Sequence, residues 1–421
     1  MKILHLSTYD TKGGAAKGCY NLFKELKTYS DLDIKLLVQN KYSSDNDILG
    51  PQNDIQDYFN TARPFIDRAF VKILNPKTPK GTYFHPAILP NKLILKTIKE
   101  FEPDILHLHW VAGGFFDYKI LKKINIPVIW TLRDMWPFTG GCHYSSDCQK
   151  YTEYCHCCPT LNSTFKYDAS YFSFIKKQKA YANSKIIPVG ISNWISDCAR
   201  KSSLLKDKPV YVIHNCIDTD IFKPFNKTFS REVFSLPENK KLLLFGAIKS
   251  LEDTRKGFQY LKLALDEIAN SEMKDEIELV VFGDNQQSDE CKYPFRVHYT
   301  GYINDEKTLS LLYSAVDAMI TPSTQEAFGK TAAEALACGV PVVAFKETAL
   351  DEIIDHKING YLANYLNYKD LAKGITWILD NKDEQISIEA RNKAINHFSL
   401  RVSAKKYYDL YLNVLNTGRI T

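Results

Sequence analysis

The chain has 421 residues, a length typical of two or three domains. Apolar residues make up 45% of it and charged residues 24%, which is ordinary for a globular protein and excludes extensive disorder. The sequence has no run of about 18 apolar residues, so it predicts no membrane-spanning helix. Its start, MKILHLSTYD, predicts a first strand and not a secretion signal.

Positive charge is concentrated in the first half of the chain. The whole sequence has 54 basic and 49 acidic residues, a formal net charge of +5. Residues 1–215 carry 29 basic and 19 acidic side chains, whereas the remainder carries 25 and 30. The first half therefore suits an anionic surface or substrate, although a merely basic domain explains the charge equally well. Nucleic acid is not expected as a partner, because no nucleic-acid-binding motif accompanies the charge.

The cysteine content bears on the cellular compartment. Ten cysteines are present, and five of them lie within residues 142–158. A chain of this length without a secretion signal is not expected to use them in disulfides. The sequence therefore predicts a cytoplasmic protein.

Strand-like and helix-like runs alternate along the first 200 residues, which predicts βαβ units with a parallel sheet. A glycine-rich turn, TKGGAAKG, follows the first strand and precedes a run with helical spacing. The stretch from about 50 to 90, rich in proline and aromatic residues, is predicted to be an irregular insertion. The apolar runs of this series are KILHLS, LDIKLLVQN, DILHLHW, IPVIWTL and KIIPVGIS.

A second series of the same kind begins near residue 210. Two such series predict an α/β protein of two Rossmann-like parallel-sheet domains with a cleft between them, covering 1–205 and 206–389. After about residue 370 only helical patterns remain. The apolar runs of the second series are YVIHN, KLLLFGAI, IELVVFG, VHYTGY, DAMITPS and PVVAF.

The strongest chemical motif is EAFGKTAAE, residues 326–334, which follows a strand ending in TPS and opens a helix. Gly329 lets the backbone approach a ligand closely, and the first N–H groups of the helix favour an anion. Glu334 could accept hydrogen bonds from a ribose diol, and Glu326 would face hydroxyl groups beyond the phosphates. The alternative is that both carboxylates are simply solvated.

This motif, followed by ACGVPVVA, resembles the retaining family-4 glycosyltransferases of the GT-B fold, the glycosyl transferases of group 1. KGGAAKG resembles the family's N-terminal glycine loop. HNCIDTDIFKP (214–224) resembles its domain junction, with Cys216 in place of the usual glycine, and KINGYL (357–362) resembles its N-G-x-L loop. The resemblance covers essentially the whole chain. It implies a GT-B fold in which the final helices, about 390–421, pack back on the first domain.

The resemblance also implies roles for individual residues in binding a nucleotide diphosphate sugar. Glu326 is expected to hold hydroxyls of the donor sugar, and Glu334 the ribose. The backbone of Ala327, Phe328 and Gly329 is expected to contact the sugar and the diphosphate. No catalytic divalent metal is expected.

A diphosphate leaving group also needs positive charge, because negative charge builds on it in the transition state. The family usually has an arginine just after a strand-ending glycine, where this chain has Ala247. Lys256 matches the family's lysine, and the adjacent Arg255 is the candidate that replaces the missing guanidinium. Gly14 is expected to approach the β-phosphate from the other domain.

The segment TLRDMWPFTGG (131–141) departs from the family pattern, because relatives often carry histidine where Arg133 stands. Arginine is always protonated and is no base at neutral pH, but Arg133 could bind sugar hydroxyls or a phosphate. Asp134 either orients Arg133 or caps the following turn. His109, at the end of another strand, is either a ligand contact or a satisfied core histidine. No general base is assigned, since the family's front-face displacement is assisted by the leaving phosphate.

The cysteine cluster resembles that of a subgroup of polysaccharide-building relatives with four cysteines at this place. The best-matching set is Cys142, Cys148, Cys155 and Cys158. Four thiolates in one loop suit a tetrahedral structural zinc ion. Free thiols with one or two disulfides are the alternative.

Together these features predict an enzyme, a retaining hexosyltransferase that uses a UDP- or GDP-sugar. The expected acceptor is a glycan or a lipid-linked oligosaccharide of surface polysaccharide biosynthesis, bound by the basic first domain. Such an acceptor implies peripheral contact with an anionic membrane at the inner face of the plasma membrane. Two alternatives remain open: a non-catalytic nucleotide-sugar-binding subunit, favoured by Ala247 and Arg133, and a nucleotide-sugar epimerase.

Overall fold

The computed structural model forms two compact units. The first comprises Met1–His214 together with Ser403–Thr421, and the second is Asn215–Val402. The chain therefore leaves the first unit once and returns to it near its end. The residues described are 1–246, 253–283, 293–381 and 383–417.

A seven-stranded parallel sheet forms the centre of the first unit. Its strands are β1 (Lys2–Tyr9), β2 (Asp33–Asn40), β3 (Ile48–Leu49), β4 (Ile105–Leu108), β5 (Val128–Leu132), β6 (Ile186–Gly190) and β7 (Tyr211–Val212). Their order is β3-β2-β1-β4-β5-β6-β7. The strands β4, β5 and β6 are buried at every residue, as expected of a parallel sheet with helices on both faces.

Five helices of the first unit connect these strands. They are α1 (Gly14–Leu26), α2 (Asp54–Leu74), α3 (Lys92–Phe101), α4 (Ala169–Tyr181) and α5 (Asn193–Lys201). The helix α2 corrects the prediction of an irregular insertion at 50–90. The Asn53 side chain caps α2 by accepting from Gln56 N–H over 3.0 Å, and the helix continues through Pro64.

A six-stranded parallel sheet forms the centre of the second unit. Its strands are β8 (Lys241–Gly246), β9 (Ile277–Phe282), β10 (Val297–Gly301), β11 (Ala318–Thr321), β12 (Val342–Phe345) and β13 (Gly360–Ala363). Their order is β10-β9-β8-β11-β12-β13. The helices are α6 (Lys227–Val233), α7 (Phe258–Ala269), α8 (Glu306–Ala315), α9 (Lys330–Ala337), α10 (Tyr368–Asp380) and α11 (Gln385–Phe398).

The strand order reverses once in each sheet. In the first unit the chain builds outward from β1 to β3 and then continues from β4 on the other side of β1. In the second unit the same reversal falls between β8 and β11. Ligands of open α/β sheets bind at such switch points, outside the carboxyl ends of the strands. The predicted α/β architecture of two parallel-sheet Rossmann-like units is confirmed.

The unit boundaries lie later in the chain than the predicted domain limits of 205 and 389. The helix α11 packs on α9 within the second unit. The last helix, α12 (Leu400–Thr417), runs in the first unit from Ser403 onward. Within the part of the chain that the structure describes, no helix has both the length and the hydropathy to span a membrane.

Buried hydrogen bonds attach α12 to the first sheet. The Tyr411 hydroxyl lies 2.7 Å from His107 Nδ1 and 3.2 Å from His5 Nε2. The Tyr407 hydroxyl lies 2.7 Å from Thr131 Oγ1. These partners lie on β1, β4 and β5, so α12 contacts polar groups in the middle of the sheet.

We predict that Tyr411→Phe lowers the free energy of unfolding of the first unit by about 1–3 kcal/mol, because two buried ring nitrogens lose a partner. Urea unfolding followed by tryptophan fluorescence measures this, since Trp110, Trp130, Trp136 and Trp194 all lie in that unit. Tyr408→Phe on the same helix is the control, because Tyr408 bonds Asp31 at an exposed position. Equal stability of the two variants would contradict the role of Tyr411.

Candidate functional site

The predicted donor residues lie on the loop from β11 to α9 in the second unit. Gly329 is the N-cap of α9 at φ = 89°, a left-handed conformation that favours glycine. Ala327 and Phe328 are buried just before it, and the Phe328 ring meets Phe398 edge to face. The helix α9 thus begins at the carboxyl edge of the sheet, where its unpaired N–H groups favour an anion.

Lys256 and Glu326, 70 residues apart, form an ion pair at this edge. Lys256 Nζ donates to Glu326 Oε2 over 2.9 Å. Gly257 makes the approach possible, because its φ is +69° and a Cβ atom there would collide with the carbonyl oxygen of Pro322. The structure therefore brings together the two residues that the sequence predicts to act on the leaving group and on the donor sugar.

A cavity of about 130 Å³ opens beside Lys256. It lies at the carboxyl ends of β8, β9 and β11, at the switch point of the second sheet. Its walls are largely apolar, with the Lys256 ammonium and hydroxyl-bearing side chains among them. This volume and chemistry suit an anionic group of a few heavy atoms. The lining residues are Phe245, Gly246, Lys256, Phe282, Met319, Ile320, Thr321, Pro322, Ser323 and Thr331.

Arg255 has a different partner from its neighbour Lys256. Its Nη2 donates to Asp253 Oδ2 over 2.6 Å, and its backbone carbonyl accepts from the N–H of Thr324 over 2.7 Å. Lys256 lines the cavity described above whereas Arg255 does not, so Lys256 is the better placed of the two for a phosphate. Ala247, where the family's arginine is missing, lies outside the described residues.

Glu334, a residue of α9, is buried, with 2% of its surface exposed to solvent. Its Oε1 accepts from Lys330 Nζ over 2.6 Å and its Oε2 from the Tyr313 hydroxyl over 3.0 Å. Burial alone would lower the pKa of Lys330, but pairing with Glu334 raises it. The alternative expectation of a solvated carboxylate is therefore wrong for Glu334. Ribose binding stays a prediction, and because each carboxylate oxygen can accept two hydrogen bonds, it does not require the Lys330 pair to break.

Arg133 follows β5 in the first unit and is 8% exposed. Its Nη2 lies 3.4 Å from His109 Nδ1, and His109 Nε2 lies 2.9 Å from His5 Nδ1. His109 is 1% exposed and uses both ring nitrogens. In this structure His109 is therefore a buried histidine with both ring nitrogens hydrogen-bonded, which is the second of the two alternatives. It contacts the Arg133 guanidinium.

His5, His107 and His109 bring their ligand atoms within 4.8 Å of one another, the spacing of a metal site. The residues nevertheless do not fit a metal ion. His5 bonds His109 directly, the Tyr411 hydroxyl lies against both His5 and His107, and the Arg133 guanidinium adds a positive charge. Burial, with a smaller contribution from Arg133, lowers the pKa of His5 to about 3. We therefore interpret the three rings as a neutral hydrogen-bonded network.

Asp134 holds the loop after β5 in place. Its Oδ1 accepts from the backbone N–H of Trp136 over 2.9 Å, which is the predicted capping contact. Its Oδ2 accepts from Trp110 Nε1 over 2.9 Å and lies 2.7 Å from His143 Nδ1. Of the two alternatives for Asp134, this geometry favours the cap.

A row of aromatic rings lies at the switch point of the first sheet. Tyr9 and Tyr83 flank Trp110 with centroids 6.1 and 6.3 Å from it and ring planes within 18° of parallel. Tyr42 extends the row beside Tyr9, and Tyr83 and Tyr42 are more than half exposed. Such rings offer a flat apolar face with polar edges, which suits the faces of sugar rings.

Sequence reasoning missed this aromatic row. The available signal was that Trp110 ends one predicted strand and Tyr9 lies two residues after the end of another. Only the pairing of β1 with β4 shows that the two ends are neighbours.

The four predicted zinc ligands, Cys142, Cys148, Cys155 and Cys158, line a cavity of about 20 Å³. Burial raises the pKa of Cys155 to about 12 and that of Cys158 to about 11. Among the residues that the structure describes, the cysteines form no group of three with ligand atoms all within 4.8 Å. The zinc prediction is therefore not supported. The cysteines are free, and Cys142 and Cys158 pack in an apolar cluster.

Gly14 is the first residue of α1, at the carboxyl end of β1. A Cβ atom added at Gly13 or Gly14 would meet nothing within 4 Å, so the backbone is open to a ligand on this side. The contact of Gly14 with a phosphate stays a prediction.

Two family models match successive parts of the chain. The model described as "Glycosyltransferase Family 4" matches residues 13–221, and the model described as "Glycosyl transferases group 1" matches residues 226–396. By sequence, the chain is similar to an uncharacterised 41.2 kDa protein of the cps region of Klebsiella pneumoniae. The two are 25% identical over 279 residues, 65% of this chain and 68% of that protein.

Solved structures share the fold over nearly the whole chain. Sucrose-phosphate synthase from Thermosynechococcus elongatus aligns with a TM-score of 0.68 over 99% of both chains, at 17% identity. HepE from Anabaena, solved in complex with UDP-glucose, aligns with a TM-score of 0.61 over 98% of this chain and 100% of that one, at 16% identity.

We predict that acid destabilises the first unit through the buried histidines. Burial lowers the pKa values of His5, His107 and His109, so the unfolded state binds protons at a higher pH than the folded state. Their contribution to stability is complete above about pH 6.5 and falls below it, by up to about 1.4 kcal/mol per pH unit for each ring. Urea midpoints at pH 7.5, 6.5 and 5.5 measure this.

The exposed His397→Gln variant is the control and should show the same pH dependence as the wild type. Stability that stays constant or rises from pH 7.5 to 5.5 would contradict the neutral network.

Proposed function

Because the chain belongs to the group 1 glycosyltransferases, we propose that it transfers a hexose-type sugar from a UDP- or GDP-sugar to a glycan or lipid-linked oligosaccharide, with retention at the anomeric carbon. The observation that carries the proposal is the Lys256–Glu326 ion pair beside the cavity at the switch point of the second sheet.

The second unit supplies the donor-binding residues of the proposal. The Lys256 ammonium stabilises the negative charge that grows on the leaving diphosphate, together with the N–H groups at the start of α9. Glu326 orients Lys256 and accepts hydrogen bonds from the donor sugar, and the backbone at 327–329 lies along the sugar and phosphates. UDP-glucose in HepE, which has this fold, supports a UDP-sugar as the first donor to test.

The first unit supplies the acceptor-binding residues of the proposal. The aromatic row of Tyr9, Trp110 and Tyr83 provides faces for sugar rings, and Arg133 provides a fixed guanidinium for hydroxyl or phosphate groups. The similarity to a protein of a cps region, and the excess of basic residues in 1–215, support an anionic acceptor of surface polysaccharide synthesis.

We predict that Lys256→Met lowers kcat by at least about 100-fold, because one charge that stabilises the transition state is lost. Glu326→Gln should also lower kcat strongly, since Lys256 loses its orienting carboxylate. The measurement is transfer or hydrolysis of radiolabelled UDP-glucose, UDP-galactose, UDP-N-acetylglucosamine and GDP-mannose. Lys274→Met, an exposed lysine of the same unit, is the matched control and should keep full activity.

Two results would contradict the proposed activity. One is that no nucleotide sugar is consumed while UDP binds tightly, which would favour the non-catalytic alternative. The other is that Lys256→Met is as active as Lys274→Met. NMR of the product tests retention, because the new glycosidic bond should keep the anomeric configuration of the donor.

We predict that Tyr83→Ala raises the KM for the acceptor by about tenfold and leaves the KM for the donor unchanged. Loss of one exposed ring from the aromatic row removes about 1–1.5 kcal/mol of contact with the acceptor. Steady-state kinetics with the acceptor that supports transfer measures both constants. Tyr302→Ala, an equally exposed tyrosine of the second unit, is the control. A change in the donor KM alone would contradict the assignment.

A further inference from the structure

The helix α2 exposes most of its large apolar side chains, which is the reverse of an ordinary surface helix. A surface helix of a globular protein buries an apolar stripe and exposes its polar residues. In α2, which has 21 residues, the buried side chains are Asp67 and Val71. The partly buried residues include Gln56, Asn60 and Arg63, so the inner side of this helix is mainly polar.

Polar contacts hold the inner side of α2. Arg63 Nε donates to the carbonyl oxygen of Gly114 over 2.8 Å, and its Nη2 donates to that of Pro90 over 2.8 Å. Asn60 Nδ2 donates to the carbonyl oxygen of Gln39 over 2.7 Å. The helix is thus fixed to the unit without using its large apolar side chains.

Those apolar side chains face away from the unit. At about 100° per residue, Ile55, Phe59, Ile66 and Ile73 fall within roughly 40° of one another around the helix. Their exposed fractions range from 48% to 76%. Large apolar side chains gathered in this way mark an interaction surface. The exposed set on α2 is Ile55, Tyr58, Phe59, Phe65, Ile66, Phe70, Ile73 and Leu74.

Basic residues accompany this apolar face. Arg68, Lys72, Lys77 and Lys80 are exposed on and just after α2, whereas its exposed acidic residues, Asp54 and Asp57, are confined to the first turn. Arg68 and Lys72 also line a cavity of about 300 Å³ on the flank of the helix, whose other walls include Phe65, Thr82 and Phe84. Apolar residues with a basic border are typical of helices that lie in the interface of an anionic bilayer.

We propose that the outer face of α2 docks on the surface of an anionic lipid bilayer, with the apolar side chains inserted and the basic residues against the headgroups. The charge argues for the bilayer, because residues 54–80 include four exposed basic residues and two exposed acidic ones. A second copy of the chain is the other occupant that the test below distinguishes. The inference rests on the proposed function in one respect, because docking would bring the protein to an acceptor that is held in the bilayer.

The test is flotation of the full chain with vesicles of phosphatidylcholine alone and of phosphatidylcholine with 30% phosphatidylglycerol. The wild type should float with the anionic vesicles, and the fraction bound should fall as salt is raised. The fourfold variant Ile55→Ser, Phe59→Ser, Ile66→Ser and Ile73→Ser should bind at least about tenfold more weakly. Since these side chains are already exposed, the variant should keep the wild-type melting temperature.

The matched control replaces three exposed apolar residues of the second unit, Leu263, Ile358 and Ile388, by serine, and it should float like the wild type. Two results would overturn the proposal: a wild type that does not bind anionic vesicles, and a fourfold variant that binds as well as the control. A wild-type dimer that the fourfold variant dissociates, without vesicle binding, would assign the face to a second copy. Vesicle binding needs no nucleotide sugar, so its failure is distinguishable from a failure of the proposed activity.

Discussion

The geometry of a parallel sheet determines where chemistry is located in this molecule. All strands of such a sheet end at one edge, and where the strand order reverses, the loops after two neighbouring strands diverge and leave room for a ligand. In the second unit this place lies between β8 and β11, and it holds the cavity beside Lys256. In the first unit it lies between β1 and β4, and it holds the aromatic row.

Two ion pairs in the second unit differ in solvent exposure, and therefore in how easily a ligand can exchange with them. The Lys256 and Glu326 side chains are 38% and 14% exposed, so water screens their attraction and the pair contributes little to folding. A ligand can therefore exchange with this pair at low cost. The Glu334 side chain is 3% exposed and is held by both Lys330 and Tyr313. Breaking that pair would remove the positive charge beside a buried carboxylate, which is costly.

The sequence predicted those features that depend on local pattern. Alternating apolar runs located the central strands, and the motif at 326–334 located the start of a helix at Gly329. Features that depend on neighbours in space were not predictable in this way. The burial of Glu334 depends on Tyr313 from α8, and the aromatic row depends on the pairing of β1 with β4. The helix α2 was missed because its apolar positions face outward and Pro64 interrupts its pattern.

The cysteine loop shows the limit of reasoning from residue type alone. Four cysteines within 17 residues are chemically suited to zinc, but affinity also requires that the sulfur atoms converge. In the structure Cys142, Cys155 and Cys158 are buried, and Cys142 and Cys158 pack with apolar side chains. Their contribution is the packing of the segment that follows Asp134, which is itself fixed by Trp110 and Trp136.

A crystal structure of the protein with UDP would show where the diphosphate binds. We expect a β-phosphate oxygen within about 3 Å of Lys256 Nζ, beside the start of α9. UDP bound with its phosphates remote from Lys256, and with the Lys256–Glu326 pair unchanged, would contradict this expectation.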